Sequence, residues 1–327
     1  MKVNILPVFI PFLGCFNRCV FCNQNAITGK TIGNVNVIKE CEKQIKEYKN
    51  FSVHWDEIAY FGGSFTCIKK ELRYRLYNLA EKYQFKNIRI STRPDCIDEE
   101  IINELKVYNV KTVELGVQST SEKVLKLNGR SYTQKDIYKS FNLLKNRFKT
   151  SLQLMTGMYG ETINDLFNTI VDAKNISPDY ARIYPTVVLK GSTLAKLMKE
   201  KIFIPDNKET ILAKTALLYS YLTSYGIKVI RIGLPESLNL NNNIEGGFYH
   251  PAIGDIVKTI SIAAYILKYD SIPFIASGFK KLLLKNFYDK KLSEIDVDTF
   301  YKKITGEDIE NNWWYFKRAS DIISQEL

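Results

Sequence analysis

Six short apolar or alternating runs recur at 4–12, 57–63, 87–92, 112–118, 152–157 and 181–189, with a seventh candidate at 228–234. Amphipathic stretches separate them, at 35–50, 68–84, 98–109, 132–149, 162–176 and 206–226. Parallel strands need a crossover between them, and a helix is its usual form, so this alternation predicts a parallel sheet clothed by helices. Six or seven such units make a full or incomplete barrel, whose chemistry gathers at the carboxyl ends of the strands. The expected fold class is α/β, a parallel partial (β/α)6 barrel over residues 1–235. A small, mainly helical extension over 236–327 is expected to cap or flank it. The polar, Gly-rich "NLNNNIEGG" (239–247) reads as a loop or linker.

The unusual residues fall at the predicted strand ends. "LGCFNRCVFCNQ" follows the first run, "GGSFT" the second and "STRPD" the third; "GVQST", "TGMYGET" and "IYPT" mark the fourth to sixth. Three of the six cysteines, Cys15, Cys19 and Cys22, lie within eight residues. Their C-x3-C-x2-C spacing suits a loop that wraps its thiolates around one object. A closed structural zinc site wants four ligands, and the only histidines are His54 and His250. Iron–sulfur clusters are held by thiolates, and a four-iron cube held by three leaves one iron open for chemistry. Zinc completed by a distant fourth ligand, and three unligated thiols, are the alternatives.

The apolar N-terminus "MKVNILPVFIPFLG" is interrupted by Pro7 and Pro11 and lacks a small-residue cleavage site, so it reads as a buried strand rather than a signal peptide. No apolar run approaches a membrane span, so no membrane partner is expected. A cytoplasmic, reducing setting follows, in which disulfides are rare. Cys41, Cys67 and Cys96 share no spacing and read as small buried hydrophobes.

The cysteine loop and its setting after the first strand resemble the radical S-adenosylmethionine (SAM) superfamily. The resemblance implies a [4Fe-4S] cluster on Cys15, Cys19 and Cys22 whose open iron chelates SAM. It further implies reductive cleavage of SAM to a 5′-deoxyadenosyl radical, with a low-potential donor such as flavodoxin or ferredoxin as partner. Gly62, Gly63, Ser64 and Phe65 resemble the glycine motif that receives the methionine end of SAM; glycines let backbone groups approach a zwitterion closely. Phe21 matches an aromatic that lies against adenine, with plain packing as the alternative. "LGVQS" resembles the oxygen-independent coproporphyrinogen oxidases and their relatives, which carries Gln118 over as a ribose contact and puts Gln153 near the ribose. Arg130 matches an arginine near the SAM carboxylate. Ser91 stands where some relatives have Glu, the partner of the SAM amino group.

Together, "IPFLGCFNRCVFCNQ", "YFGGSFT", "STRPD", "VELGVQST", "DYARIYPTVVLKGSTL" and "GGFYHPAIGD" resemble the family of the Elongator catalytic subunit over about residues 7–255. Members modify the wobble uridine of tRNA with acetyl-CoA, through a C-terminal acetyltransferase domain. Only 77 residues follow His250 and no acetyl-CoA loop is seen, so a short relative without that domain is expected. On the barrel side, Arg182 and Tyr184 are expected to point into the cavity, Arg182 to grip an anion and Tyr184 to donate or relay a proton or merely pack. His250 reads as a substrate-side acid or base or as a loop cap. "WWYF" (313–316) reads as a helix docking face or a base-stacking platform.

The formal charge of +11 lies wholly in residues 1–250, because 251–327 carries eleven basic and eleven acidic side chains. Residues 101–150 hold ten basic and four acidic. Such a surface favours polyanions through counterion release, as does composition bias alone without any ligand. The expected function is radical SAM modification of a tRNA base, a uridine. Its rivals are a small-molecule or porphyrin-like substrate, and a cluster- or haem-binding carrier without turnover.

Overall fold

The computed structural model describes residues 3–29, 36–51, 53–273, 291–293, 297–306, 308–325 and 327. Seven parallel strands form one sheet: β1 (Ile5–Phe9), β2 (Glu57–Phe61), β3 (Asn87–Thr92), β4 (Val110–Gln118), β5 (Lys149–Thr156), β6 (Tyr180–Pro185) and β8 (Lys228–Ile232). The order is β1-β2-β3-β4-β5-β6-β8, with β1 and β8 as its edges among the described residues. The curled sheet is therefore a half-barrel with an open seam. The seventh candidate run is a strand of the same sheet, because Lys228–Ile232 pairs along β6.

Alternation along each strand decides which residues see the seam. Leu6, Val8, Ile58, Tyr60, Ile88, Ile90, Val113, Leu115, Leu152, Leu154, Ala181 and Ile183 are buried in the main hydrophobic core beneath the helices. Their neighbours Glu57, Arg89, Ser91, Glu114, Gln153, Arg182 and Tyr184 occupy the opposite, concave face. The period-2 pattern thus divides each strand into a structural side and a side free for chemistry.

The crossover helices are α1 (Gln24–Thr28), α2 (Val37–Lys49), α3 (Lys70–Lys82), α4 (Glu99–Val107), α5 (Glu122–Leu127), α6 (Gln134–Leu144), α7 (Ile163–Ile176), α8 (Thr193–Lys199) and α9 (Lys208–Ser224). Thr133 and Thr162 open α6 and α7 with reciprocal capping boxes to Asp136 and Asp165. Helix α9 is buried on every face from Ile211 to Leu222. It lies between the sheet and the C-terminal helices α11 (Ile253–Tyr269) and α13 (Ile309–Ser324), with α12 (Val297–Ile304) beside it. Phe316 of α13 is fully buried and Trp313 and Tyr315 pack on the same core, while Trp314 points outward, so the aromatic run is chiefly a docking face. The proposed extension includes residues 274–290, which lie outside the described residues. Among the described residues no helix is long and apolar enough to cross a membrane.

Two segments depart from expectation. The run 181–189 divides into β6 and β7 (Val188–Leu189), and 239–247 is not a linker. It holds the short helix α10 (Leu238–Asn241) and β9 (Ile244–Gly246), which pairs antiparallel with β7. Ala26, Val187, Leu189 and Leu240 form a separate small core there. Burial of four apolar side chains outweighs the loop bias of the surrounding asparagines.

Candidate active site

The loop carrying Cys15, Cys19 and Cys22 is latched to the loop after β2. Ile10 donates its N–H to the Phe61 carbonyl (2.8 Å), Phe12 to Gly62 (3.1 Å) and Ser64 to Leu13 (2.8 Å). Phe12 and Gly14 adopt left-handed backbone (φ 60° and 75°), which turns the chain off the strand and back across Ser64. Further round, Val20 donates to the Asn128 carbonyl (3.2 Å) and accepts from Leu194 (2.8 Å), so α5 and α8 brace the same loop.

Gly63 is where the two loops come closest. A Cβ there would lie 2.4 Å from the Leu13 carbonyl oxygen and 2.9 Å from that of Ile10, both backbone atoms without room to retreat. Gly63→Ala is therefore expected to destabilise the protein by about 1–3 kcal/mol and to loosen the cysteine loop. Urea denaturation and the iron retained after anaerobic reconstitution measure the two effects.

Burial pushes the Cys15 thiol upward, and burial with the neighbouring thiols pushes Cys22 up to about 12. Buried thiolates here call for compensating positive charge, which a metal supplies as it displaces the protons. No three His, Cys, Asp or Glu side chains among the described residues converge on a single-ion position. The donors are instead three thiols spaced along one loop, a soft and uniform set that fits separate irons of a cluster better than one zinc. Arg130 lies within electrostatic reach of all three. Its guanidinium stands 5.9 Å from the Phe21 ring and 5.5 Å from Tyr132, and its Nε is buried without a hydrogen-bond partner. An orphaned cationic donor beside the cysteine loop suits an anionic ligand such as the SAM carboxylate. Gln118 ends β4 with a left-handed φ of 68°, at a bulge against β5.

The concave face is crossed by a buried charge network. Glu114 Oε2 accepts from Arg182 Nε (2.7 Å), and Oε1 from Arg182 Nη2 and Arg89 Nη1 (both 3.0 Å). Arg89 Nε also donates to Glu57 (2.9 Å). Gln153 donates to Ser91 Oγ (2.9 Å) and to Glu114 (3.1 Å). Burial by itself would raise the Glu114 carboxyl, but Arg182 and Arg89 outweigh it and hold the group below the usual carboxylate range.

The expected site residues are thus sorted. Ser91 and Gln153, placed provisionally on SAM, are tied to each other and to Glu114. Arg182 faces the cavity, where its guanidinium makes a bidentate pair with the Glu114 carboxylate. Tyr184 packs with Val124, Met155 and Met158 in a cluster that Phe21 also joins, which brings those two expected residues together; burial raises its phenol against the pull of Arg182. His250 accepts the Ala252 N–H at Nδ1 (3.0 Å) and stacks on Phe248, so in this structure it holds the turn into α11. Cys67 and Cys96, expected as separate buried thiols, are joined in a disulfide with Cα atoms 5.5 Å apart. The 3-10 turns Phe65–Cys67 and Pro94–Cys96 leave adjacent strands side by side, and a sequence separation of 29 hides that proximity in the residue order. Cys41 is buried in the core, as expected.

Sequence reading missed Glu57, Arg89 and Glu114. The available signal was a charged residue at the concave position of an otherwise apolar strand, as in "TVELGV". It also missed Glu161, which follows β5. Burial raises its carboxyl to about 7, against the pull of Lys214 (3.4 Å).

Residues 9–173 match the radical SAM superfamily, and residues 178–260 match the Radical SAM C-terminal domain. The tRNA uridine(34) acetyltransferase of Methanocaldococcus infernus is 31% identical over 196 residues, 59% of this chain and 34% of that protein. Human Elongator complex protein 3 is 25% identical over 256 residues, 64% of this chain and 46% of that one. The chain therefore spans about a third of the first relative and under half of the second. In fold, it is similar to the archaeal M. infernus Elp3 with residues 1–46 deleted, at a TM-score of 0.61 and 21% identity over 83% of this chain and 68% of that one.

Proposed function

Because this chain belongs to the radical SAM superfamily, we propose that it cleaves SAM reductively at the Cys15–Cys19–Cys22 loop and uses the resulting radical to modify a uridine base of tRNA. The observation that carries the reading is the latch between that loop and Gly62–Gly63, at adjacent strand ends inside the matched region. A [4Fe-4S] cluster bound there supplies the electron that splits the sulfonium of SAM into methionine and a 5′-deoxyadenosyl radical, which takes a hydrogen atom from the substrate.

The protein's own residues do the rest. Gly62, Gly63, Ser64 and Phe65 offer backbone groups to the methionine end, and Arg130 faces its carboxylate. Phe21 packs against the adenine and Gln118 meets the ribose. Tyr184 holds a phenolic proton beside Phe21, on the side where a substrate base enters. The names of the relatives support tRNA uridine as substrate, and the basic excess in residues 1–250 suits a polyanion. Electrons come from a small low-potential protein such as flavodoxin or ferredoxin.

The test is anaerobic. The reconstituted protein is reduced with dithionite in the presence of SAM, and 5′-deoxyadenosine is measured with and without bulk tRNA. Stimulation by tRNA and not by free uridine or porphyrinogens is the expected result. Cleavage indifferent to tRNA overturns the substrate assignment, and no cleavage at all leaves a carrier.

A further inference from the structure

The β6–β8 pairing contains an irregularity that redirects one side chain. Ala181 faces Val229, but the next pair is Arg182 with Arg231, so the register passes over Ile230. A bulge of this kind moves the following residue to the other face. Val229 and Ile232 pack toward the helices, and Arg231 stands beside Arg182 on the concave face.

That face then carries a long polar side chain on every strand from β2 to β6 and on β8: Glu57, Arg89, Glu114, Gln153, Arg182 and Arg231. Its charge is two carboxylates against three guanidiniums. Glu57 and Glu114 are taken up by Arg89 and Arg182. Arg231 is exposed and has no hydrogen bond or carboxylate partner among the described residues. Two arginines at paired positions repel each other, so no structural pairing within the sheet accounts for the second one. It also occupies the edge strand, at the seam where a polymer too large to be enclosed can present one nucleotide to the cavity. Tyr184 lies within electrostatic reach of both arginines.

We propose that Arg231 binds a backbone phosphodiester of the RNA substrate at the open seam, holding the strand while the adjacent base reaches toward Tyr184. Arg130 sits by the cysteine loop, within electrostatic reach of its three thiols, and Arg231 on the edge strand, so the two guanidiniums serve different anions. The inference rests on the tRNA reading above and names the residue that grips the strand.

Its test is a salt series of tRNA binding to the reconstituted protein, comparing wild type, Arg231→Gln, Arg231→Lys and Lys228→Gln. Lys228 is an exposed control at the other end of the same strand. Loss of one phosphate contact lowers the slope of log K against log salt by about 0.7–0.9. Arg231→Gln is expected to show that loss, with weakening that is uniform across RNA sequences. Arg231→Lys, which keeps the charge, and Lys228→Gln are expected to keep the wild-type slope. An unchanged slope in Arg231→Gln, with wild-type binding intact and salt-sensitive, overturns this inference alone. Wild-type protein without salt-sensitive tRNA binding overturns the tRNA reading and the inference with it. If Arg231→Gln melts early, Arg231→Lys decides: a wild-type melt with the slope still lost also overturns the charge-contact role.

Discussion

Cys22→Ser is expected to fold, retain little iron and form 5′-deoxyadenosine more than about 100-fold more slowly than wild type, since even outer-shell partners of a metal ligand are worth about 10–100-fold. Serine matches cysteine closely in shape, so the backbone has no reason to rearrange. Its hydroxyl is a hard, weakly acidic donor where iron wants a soft thiolate. Cys15→Ser and Cys19→Ser are expected to behave alike, because each removes one of three donors on a single loop. Cys41→Ser is the contrast: Cys41 is buried in α2, away from that loop, and should leave iron content unchanged. The measurements are iron per chain after anaerobic reconstitution and the rate of deoxyadenosine release. Full iron and full rate in Cys22→Ser would overturn the assignment of this loop.

Glu114→Gln carries the largest expected effect on stability. The side chain is wholly buried and neutralises Arg182 while sharing Arg89 with Glu57. Removing one partner of a buried pair leaves an uncompensated charge and costs about 3–5 kcal/mol. The pH dependence has a definite sign. The folded carboxyl lies below its ordinary value, so between the two values the unfolded chain binds more protons and stability rises with pH. The contribution is complete above the ordinary glutamate value of about 4.3 and is lost as pH falls through the folded value. Glu114→Gln should therefore unfold at lower urea at pH 7 and show a shallower acid decline. The double variant Glu114→Leu/Arg182→Met should recover part of the loss, because an apolar pair of similar volume needs no counter-charge. Equal urea midpoints for wild type and Glu114→Gln would show that the network is not held by charge.

These two effects arise from different kinds of information. The cysteine loop is local: three thiols in eight residues, and glycines after the next run, announce their chemistry wherever the chain folds. The strands were equally legible, because burial of one face imposes a period of two that survives in the residue order. Boundaries moved by a few residues, and the seventh strand was visible as a candidate run. Arg182 was placed on the correct face by the same period. Its partner was not foreseeable, because Glu114 lies 68 residues away and two strands across.

The sequence alone determined the parallel α/β architecture, the thiol cluster and the strand ends on which a cofactor pocket is built, since each follows from composition and period over a few neighbouring residues. Tertiary structure decided how those pieces are paired across the sheet. It matched Glu114 to Arg89 and Arg182, joined Cys67 to Cys96, folded 239–247 against β7 and left Arg231 at the seam without a carboxylate partner among the described residues. The reason is register: which side chain meets which depends on strand order and on single-residue bulges, and a shift of one residue carries a side chain to the other face without changing any local pattern.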